Sequence, residues 1–304
     1  MQAVRSRIII YNYIGMFFSV FFLGLYITAL FGNVEGFSLA MNDFTPVEQT
    51  LLVMVLAFLF YSLWKTIYFG MTIIKFVKTK SDEDIIANRF MLAVYSLTLG
   101  GFLTPWMLTK IPNVDSNSTL NPRNEIAKVY TKNYVIGGSI FIASYFAIAA
   151  ALKVNVFATQ DAQLASYIFL GITGAAIALG LVGGIFFWKK NSAEAYEKSG
   201  FMKFIAGIFI FIVTLELILK IISAILTIID AIADIARSND RNFLMKFLIW
   251  MNSLITIMYS IFLIKICWAT IKGIWSKNGV TMKEFAGLTN AEEKQGRTPS
   301  WKTS

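Results

Sequence analysis

The chain has 304 residues, of which 57% are apolar and 15% are charged, and its formal net charge is +9. Soluble domains have roughly 45–50% apolar and 25% charged residues, so this composition excludes a water-soluble globular fold and indicates a membrane protein. The absence of histidine excludes His-dependent hydrolysis and His-based haem or zinc chemistry, and a single cysteine, Cys267, excludes an internal disulfide.

The first two apolar runs are each long enough to cross a bilayer. The run from Ile8 to Phe31 follows Arg5 and Arg7 and exceeds the core of a signal peptide. It lacks a clear small-x-small cleavage site, so we expect it to stay attached as the first span. The second run, Leu51 to Val77, is long enough to cross with some tilt.

A third apolar segment, Ile85 to Leu108, begins after a typical helix-start sequence, Ser81-Asp82-Glu83-Asp84. The Ser81 hydroxyl is expected to cap free backbone N–H groups. Acidic residues also stabilise a helix start, so we interpret the cluster as capping rather than as a metal site. Gly100, Gly101 and Pro105 interrupt the segment and predict a kink or an early end.

The connection before the fourth span is polar and runs from Ile111 to Asn133. Within it, Asn121-Pro122 combines a capping side chain with a residue suited to the first helical turn. This pair predicts a short surface helix over Pro122 to Lys132, separate from the span that follows.

Spans four and five, Tyr134 to Leu152 and Ala165 to Trp188, are rich in small residues. Gly180 and Gly184 have the GxxxG spacing that lets two helix backbones approach closely in lipid. The spacing therefore predicts a tight helix pair. The alternative, a solute passing along bare backbone, stays open.

Span six is predicted from Phe204 to about Ile235 and span seven from Phe247 to Ile271. We thus expect an all-α integral membrane protein with about seven transmembrane helices in one domain, residues 1–271. Residues 272–304 are expected to form a cationic, partly disordered C-terminal tail.

The connections after spans two and four resemble each other over Lys75 to Leu92 and Lys153 to Leu170. In both, a hydroxyl residue, Ser81 or Thr159, starts the next helix. The connection after span six is a weaker match through Ser238. This similarity predicts one leading span followed by three helical hairpin repeats.

Polar residues occupy one face of span six at spacings of three and four: Glu216, Lys220, Ser223, Thr227, Asp230, Asp234 and Arg237. A charge at the bilayer centre costs about 2.5–3.5 kcal/mol, so such groups are normally paired, hydrated or functional. Glu216 precedes Lys220 by one turn, which predicts an ion pair within the helix. Lys65, near the centre of span two, then has no carboxylate in its own span.

From these stripes we predict a solute path or intramembrane polar cluster that contains Lys65, Glu216, Lys220, Thr227, Asp230 and Asn252. Within this set Lys65, Lys220 and Glu216, two lysines and one carboxylate, give a positive potential, which favours an anionic or zwitterionic solute. In the alternative interpretation the polar groups are structural: Lys65 reaches toward the headgroups, or Lys220 to Arg237 lies along the interface.

Three classes of function remain. The polar stripes favour a transporter or permease, whereas the lack of ATP-binding, dinucleotide, nucleophile-elbow or Cys-x-x-Cys motifs favours a non-catalytic subunit or scaffold of a membrane complex. The missing histidines count against an enzyme acting on lipid. We expect no enzymatic activity, no metal or other cofactor and no nucleic-acid partner. The expected partners are the lipid bilayer and, for a scaffold, other membrane protein subunits.

We expect a multi-pass protein of the cell membrane, but for seven spans the positive-inside rule gives a divided result. Arg5 and Arg7 favour a cytoplasmic N-terminus, whereas Lys189, Lys190 and the tail favour a cytoplasmic C-terminus. A third segment that enters and leaves on one side would satisfy both. We predict a cytoplasmic C-terminus.

Overall fold

The computed structural model describes residues 1–32, 36, 43–98, 103–112, 120–189, 200–238 and 243–275. These residues form nine helices, namely α1 (Gln2–Phe31), α2 (Pro46–Thr79), α3 (Asp82–Ala87), α4 (Arg89–Thr98), α5 (Leu103–Leu108), α6 (Pro122–Ala151), α7 (Gln160–Phe187), α8 (Gly200–Arg237) and α9 (Phe243–Trp275). Six of them, α1, α2, α6, α7, α8 and α9, are long and apolar enough to cross a membrane. The described chain is therefore all-helical, and its long apolar helices indicate a polytopic membrane protein.

The long helices extend past the predicted spans, because polar residues continue the helix beyond each apolar run. α2 has 34 residues and α8 has 38. At 1.5 Å per residue these helices are about 50 Å and 57 Å long, well over the roughly 30 Å hydrocarbon core. α9 likewise continues to Trp275, beyond the predicted boundary at Lys272, and residues 276–304 of the predicted tail lie outside the described residues.

The separate surface helix predicted over Pro122 to Lys132 is wrong. α6 runs without a break from Pro122 to Ala151, and the Asn121 side chain caps it by accepting hydrogen bonds from the N–H groups of Arg123 and Asn124. The cap was predicted correctly. The polar start of the helix continues into the apolar span because residues such as Tyr130 are buried against other helices.

The predicted third span, Ile85 to Leu108, is not one long helix. The described residues form α3, α4 and α5 in this region, and α4 has 10 residues, about 15 Å, or half of a hydrocarbon core. Ser81 caps α3 as predicted, by accepting a hydrogen bond from the N–H of Asp84. The count of seven crossing helices is therefore not confirmed. Gly100 and Gly101 lie outside the described residues.

Of this third segment, residues 85–97 lie inside the helix bundle, whereas Trp106 of α5 is exposed at its surface. Residues 90–97 are all buried, and α4 packs against α2, α6 and α9. The Arg89 guanidinium donates a hydrogen bond of 2.8 Å to the carbonyl of Pro112, which joins the start of α4 to the chain after α5. On α9, Gly273 leaves space for the Phe90 ring, which a methyl group at that position would overlap.

Contacts between helix ends define one end of the bundle, here called the basic end. Arg5 of α1 pairs with Asp82 at the start of α3, and the Arg123 side chain of α6 donates to the carbonyl of Ile274 on α9. Phe186 and Phe201 bring the end of α7 to the start of α8. The large hydrophobic core, which contains buried residues of the third segment, occupies this end. A smaller core of α2 and α6 residues, with Leu152 and Val156 of the connection after α6, occupies the other.

Two helix pairs have the most extensive contacts, α8 with α9 and α6 with α7. Buried residues recur at a seven-residue spacing along both helices of the α8–α9 pair, as Leu217, Ala224 and Ala231 on α8 and as Ser253, Ser260 and Cys267 on α9. Such a repeat of mostly small residues lets two helices pack closely over many turns.

The tight approach predicted for the glycine-rich spans is found between α6 and α7, on Gly180 and Gly183. A methyl group at Gly180 would meet the carbonyl oxygen of Thr131, and one at Gly183 would meet the Thr131 side chain and Phe209. Gly184 instead faces Trp188 at the end of its own helix.

The two helix starts compared in the predicted repeat behave alike, since Ser81 caps α3 and Thr159 caps α7. The helices that follow differ: α3 has 6 residues and α7 has 28. The three hairpin repeats are therefore not confirmed.

Candidate functional site

Three long helices contribute one side chain each to a polar cluster in the interior, formed by Lys65, Tyr130 and Glu216. The Lys65 ammonium of α2 lies 3.4 Å from Glu216 Oε2 of α8. The Tyr130 hydroxyl of α6 donates a hydrogen bond of 3.2 Å to the same oxygen. We call these three residues the central polar cluster. One carboxylate oxygen thus connects α2, α6 and α8.

Aromatic rings surround the cation of this cluster. Lys65 Nζ lies 5.9 Å from the ring centroids of both Tyr61 and Phe69, within the range of a cation–π interaction. Tyr130 is fully buried and packs edge-on against Phe69, with the ring centroids 5.3 Å apart. The neighbouring rings and the Glu216 carboxylate together compensate for removing the ammonium from water.

Two buried polar atoms close to the cluster have no hydrogen-bond partner among the described residues. Asn133 on α6 is fully buried. Its side-chain NH₂ group donates a hydrogen bond of 3.1 Å to the Tyr61 hydroxyl, whereas its side-chain carbonyl Oδ1 has no partner among the described residues. The indole Nε1 of Trp64, the residue before Lys65, is also unpaired. Leaving a buried polar group unsatisfied costs about 1–3 kcal/mol. One acceptor and one donor are thus available beside the central polar cluster.

Gly137 allows these groups to come together, because it follows Asn133 by one turn of α6 and lies against α2. A methyl group at Gly137 would come within 2.8 Å of the Tyr61 ring and 3.0 Å of the Trp64 ring. The position therefore has to be small if α2 and α6 are to bring Tyr61 and Asn133 into contact.

Of the predicted site residues, the structure brings Lys65 and Glu216 together. The ion-pair partner of Glu216 among the described residues is Lys65 and not Lys220, so the predicted pairing within span six is wrong. Lys65, which had no carboxylate in its predicted span, receives one from α8. Lys220 lies half-buried one turn after Glu216.

The other three predicted residues do not join the cluster. Thr227 and Asp230 are exposed on the second half of α8. The Thr227 hydroxyl donates a hydrogen bond of 2.9 Å to the carbonyl of Ser223 in its own helix. Asn252 is exposed on α9, next to the buried Ser253. The polar stripe of span six therefore divides into an inward part at Glu216 and an outward part beyond it.

Tyr130, Asn133, Trp64 and Tyr61 were not predicted to belong to the site. Tyr130 and Asn133 fell in a stretch interpreted as a polar surface connection. Their spacing of three residues, continued by Tyr134 and Gly137 into the apolar run, was the sequence signal that could have placed them on one face of a spanning helix.

Comparisons with protein-family models, with curated proteins and with solved structures found no match. Within the described part of the chain, no group of three His, Cys, Asp or Glu side chains is arranged to hold a metal ion. The arrangement that is present offers a cation, a carboxylate and hydroxyl and amide groups at a helix junction. Groups of these types can form ion pairs and hydrogen bonds with a small charged molecule.

Proposed function

We propose that this chain is a multi-pass protein of the cell membrane that transports a small zwitterionic or anionic solute past the central polar cluster. The observation that carries the proposal is the Lys65–Glu216 ion pair, which joins two long helices instead of lying within one. A charged pair between apolar helices is costly to insert, and functional sites are where such pairs are retained.

The chemistry of the cluster suits exchange with a solute. A carboxylate on the solute can replace Glu216 at the Lys65 ammonium, and a solute ammonium can then bind the released Glu216. Since Glu216 also accepts from Tyr130, this exchange changes the contacts among α2, α6 and α8 together. Solute binding is thereby coupled to the packing of the three helices, which alternating access requires.

The unpaired Asn133 carbonyl and Trp64 indole N–H support the same proposal. They offer one acceptor and one donor beside the ion pair, and a polar solute or water molecule can satisfy both. Lys220 adds a second cation one turn from Glu216, which favours solutes with a net negative or balanced charge.

In the proposed topology six helices cross the membrane and the third segment enters and returns at the basic end. Both termini then face the cytoplasm, and the positive-inside rule is no longer divided. Cations are concentrated at the basic end, among them Arg7, Lys78, Arg89, Lys110, Arg123, Lys128, Lys189, Lys203 and Lys272. At the opposite end the described cations are Lys153, Arg237 and Lys246, beside Asp43, Glu48, Asp161, Asp230 and Asp234.

The test is uptake of anionic and zwitterionic metabolites into proteoliposomes that contain the purified chain. Glu216→Gln and Lys65→Met are expected to reduce uptake of the transported solute at least about tenfold, the effect of losing roughly 1.4 kcal/mol of interaction. Asp230→Asn is the matched control, because it makes the same charge change on an exposed turn of the same helix. Uptake that is absent for every solute, or equal in Glu216→Gln and Asp230→Asn, would overturn the proposal.

The second candidate function is a non-catalytic subunit of a membrane complex. Beyond Leu217 the buried residues of α8 are Ala224 and Ala231, and the adjacent part of α9 is similarly open, with Leu254, Ile255 and Met258 exposed. A partner helix fits such a surface. Purification in a mild detergent decides between the two: a partner held in fixed stoichiometry, with no solute uptake, selects the subunit.

A further inference from the structure

A groove at the basic end lies between the first turns of α1 and the end of α5. Its cavity has a volume of about 230 Å³ and is lined by Val4, Arg7, Tyr11, Trp106, Met107 and Lys110. The groove thus combines two cations, two aromatic rings and two apolar side chains. None of its residues belongs to the central polar cluster.

The two cations of the groove are available to a ligand. Among the described residues neither Arg7 nor Lys110 has a carboxylate partner, whereas Arg5, on the same helix, is paired with Asp82. The Lys110 ammonium lies 5.3 Å from the centroid of the Trp106 ring, which holds it over the groove wall. Both side chains are exposed, so an anion can reach them from outside the bundle. Because neither cation has a carboxylate partner among the described residues, the anion does not have to displace an existing ion pair.

The aromatic wall and the apolar surface beside it are features typical of a site at the level of the lipid headgroups. Trp106 meets Tyr11 edge-on with the ring centroids 6.3 Å apart, and Trp and Tyr are the residues enriched at membrane interfaces. Exposed large apolar residues on α1 begin within one turn after Arg7, at Ile10, and continue at Phe17 and Phe21. An apolar face of this kind accommodates acyl chains, while the groove above it faces the headgroup region.

We propose that this groove binds the phosphate headgroup of an anionic phospholipid, with the phosphate between Arg7 and Lys110 and the acyl chains along the exposed face of α1. An arginine donates to two phosphate oxygens at once, and basic pockets between helices at the cytoplasmic side are typical sites for anionic lipids. The bound lipid connects α1 to α5 and thereby holds the third segment in the bundle. This site is independent of the proposed solute path.

The test is titration of the detergent-purified chain with phosphatidylglycerol, followed by native mass spectrometry. Replacing both cations, as Arg7→Gln with Lys110→Gln, is expected to weaken lipid binding about tenfold or more, because both cationic contacts to the anionic headgroup are lost. The matched control is Arg237→Gln with Lys246→Gln. It removes one Arg and one Lys at the opposite end, where Lys246 also lies over a tryptophan, Trp250, at 5.7 Å. This control is expected to bind the lipid like the unaltered chain.

Two further measurements make the proposal independent of the folding of the variants. A photoactivatable phosphatidylglycerol should crosslink the unaltered chain at residues 4–11 and 106–110, and phosphatidylcholine should not compete. Inorganic phosphate at millimolar concentration should not displace the lipid. Crosslinks elsewhere only, equal weakening in both double variants, or displacement by inorganic phosphate as effective as that by phosphatidylglycerol would each overturn the assignment.

Discussion

Lys65 and Glu216 form an ion pair across 151 residues of sequence, with Nζ 3.4 Å from Oε2. The pair is partly shielded, since 20% of the Lys65 side chain and 29% of the Glu216 side chain are accessible. In an apolar surrounding, each charge neutralises the other, so removing one leaves the second without compensation.

A double-mutant cycle measures this dependence. Lys65→Met and Glu216→Gln should each lower the free energy of unfolding, and the double variant should lose less than the sum of the two. We expect a coupling of about 1–3 kcal/mol, the range for residues in direct contact. Unfolding in mixed micelles with increasing denaturing detergent provides the measurement. Strict additivity would show that the pair does not form.

The Arg5–Asp82 pair should contribute less, because it lies at the end of the bundle and 35% of the Asp82 side chain is accessible. Arg5→Met is expected to lower the free energy of unfolding by about 1 kcal/mol or less, with a smaller loss at high salt. Arg237→Met is the control, since Arg237 has no carboxylate partner among the described residues and does not line the groove between α1 and α5. Equal effects of the two substitutions would argue against the pair.

Glycines on α7 should differ sharply in their tolerance of a larger side chain. Gly183→Leu is expected to destabilise the chain by about 1–3 kcal/mol, because the new side chain collides with Thr131 and Phe209. Gly174→Leu should have little effect, since among the described residues no side chain and no backbone of another helix lies within 4 Å of a methyl group at that position. Thermal unfolding in detergent tests both, and a similar loss in the two variants would contradict the observed packing of α6 against α7.

Single-cysteine labelling in intact cells tests the proposed topology. In a Cys267→Ser background, cysteines at Ser6, Ser192 and Ser300 should resist an impermeant maleimide, because all three positions belong to the basic end or to sequence that emerges there. A cysteine at the exposed Ala158, between α6 and α7, should be labelled. Permeabilised cells provide the control for reactivity. Labelling of Ser6 or Ser300 in intact cells would contradict the topology.

The sequence was sufficient to predict the helices that depend on local chemistry. Apolar runs indicated the six long helices, and hydroxyl or amide side chains at Ser81, Asn121 and Thr159 marked three helix starts that the structure confirms. For the third segment, the sequence left open both a crossing helix and a segment that enters and leaves on one side. Its apolar residues satisfy the same hydropathy test whether lipid or protein covers them, and only the packed bundle shows that α4 is covered by α2, α6 and α9.

Part of the candidate site was also within reach of the sequence. Lys65 and Glu216 stood out because charges in apolar runs are rare, but spacing along one helix favoured Lys220 as the partner of Glu216. A partner from another helix depends on tertiary packing, which helical periodicity does not specify. Helical periodicity placed the polar residues of span six on one face of α8. It did not predict that Thr227 and Asp230 point outward, because the orientation of that face depends on tertiary packing.

The contact between Phe90 and Gly273 has a consequence for biosynthesis. The third segment is made early, yet one of the surfaces that covers it belongs to the last helix of the described chain. Until α9 is synthesised and inserted, the short helices α3 to α5 are incompletely packed, so the described fold is completed only after translation has reached α9. A chain truncated before α9 should therefore be recognised by membrane quality control and degraded, although α1, α2, α6, α7 and α8 are intact.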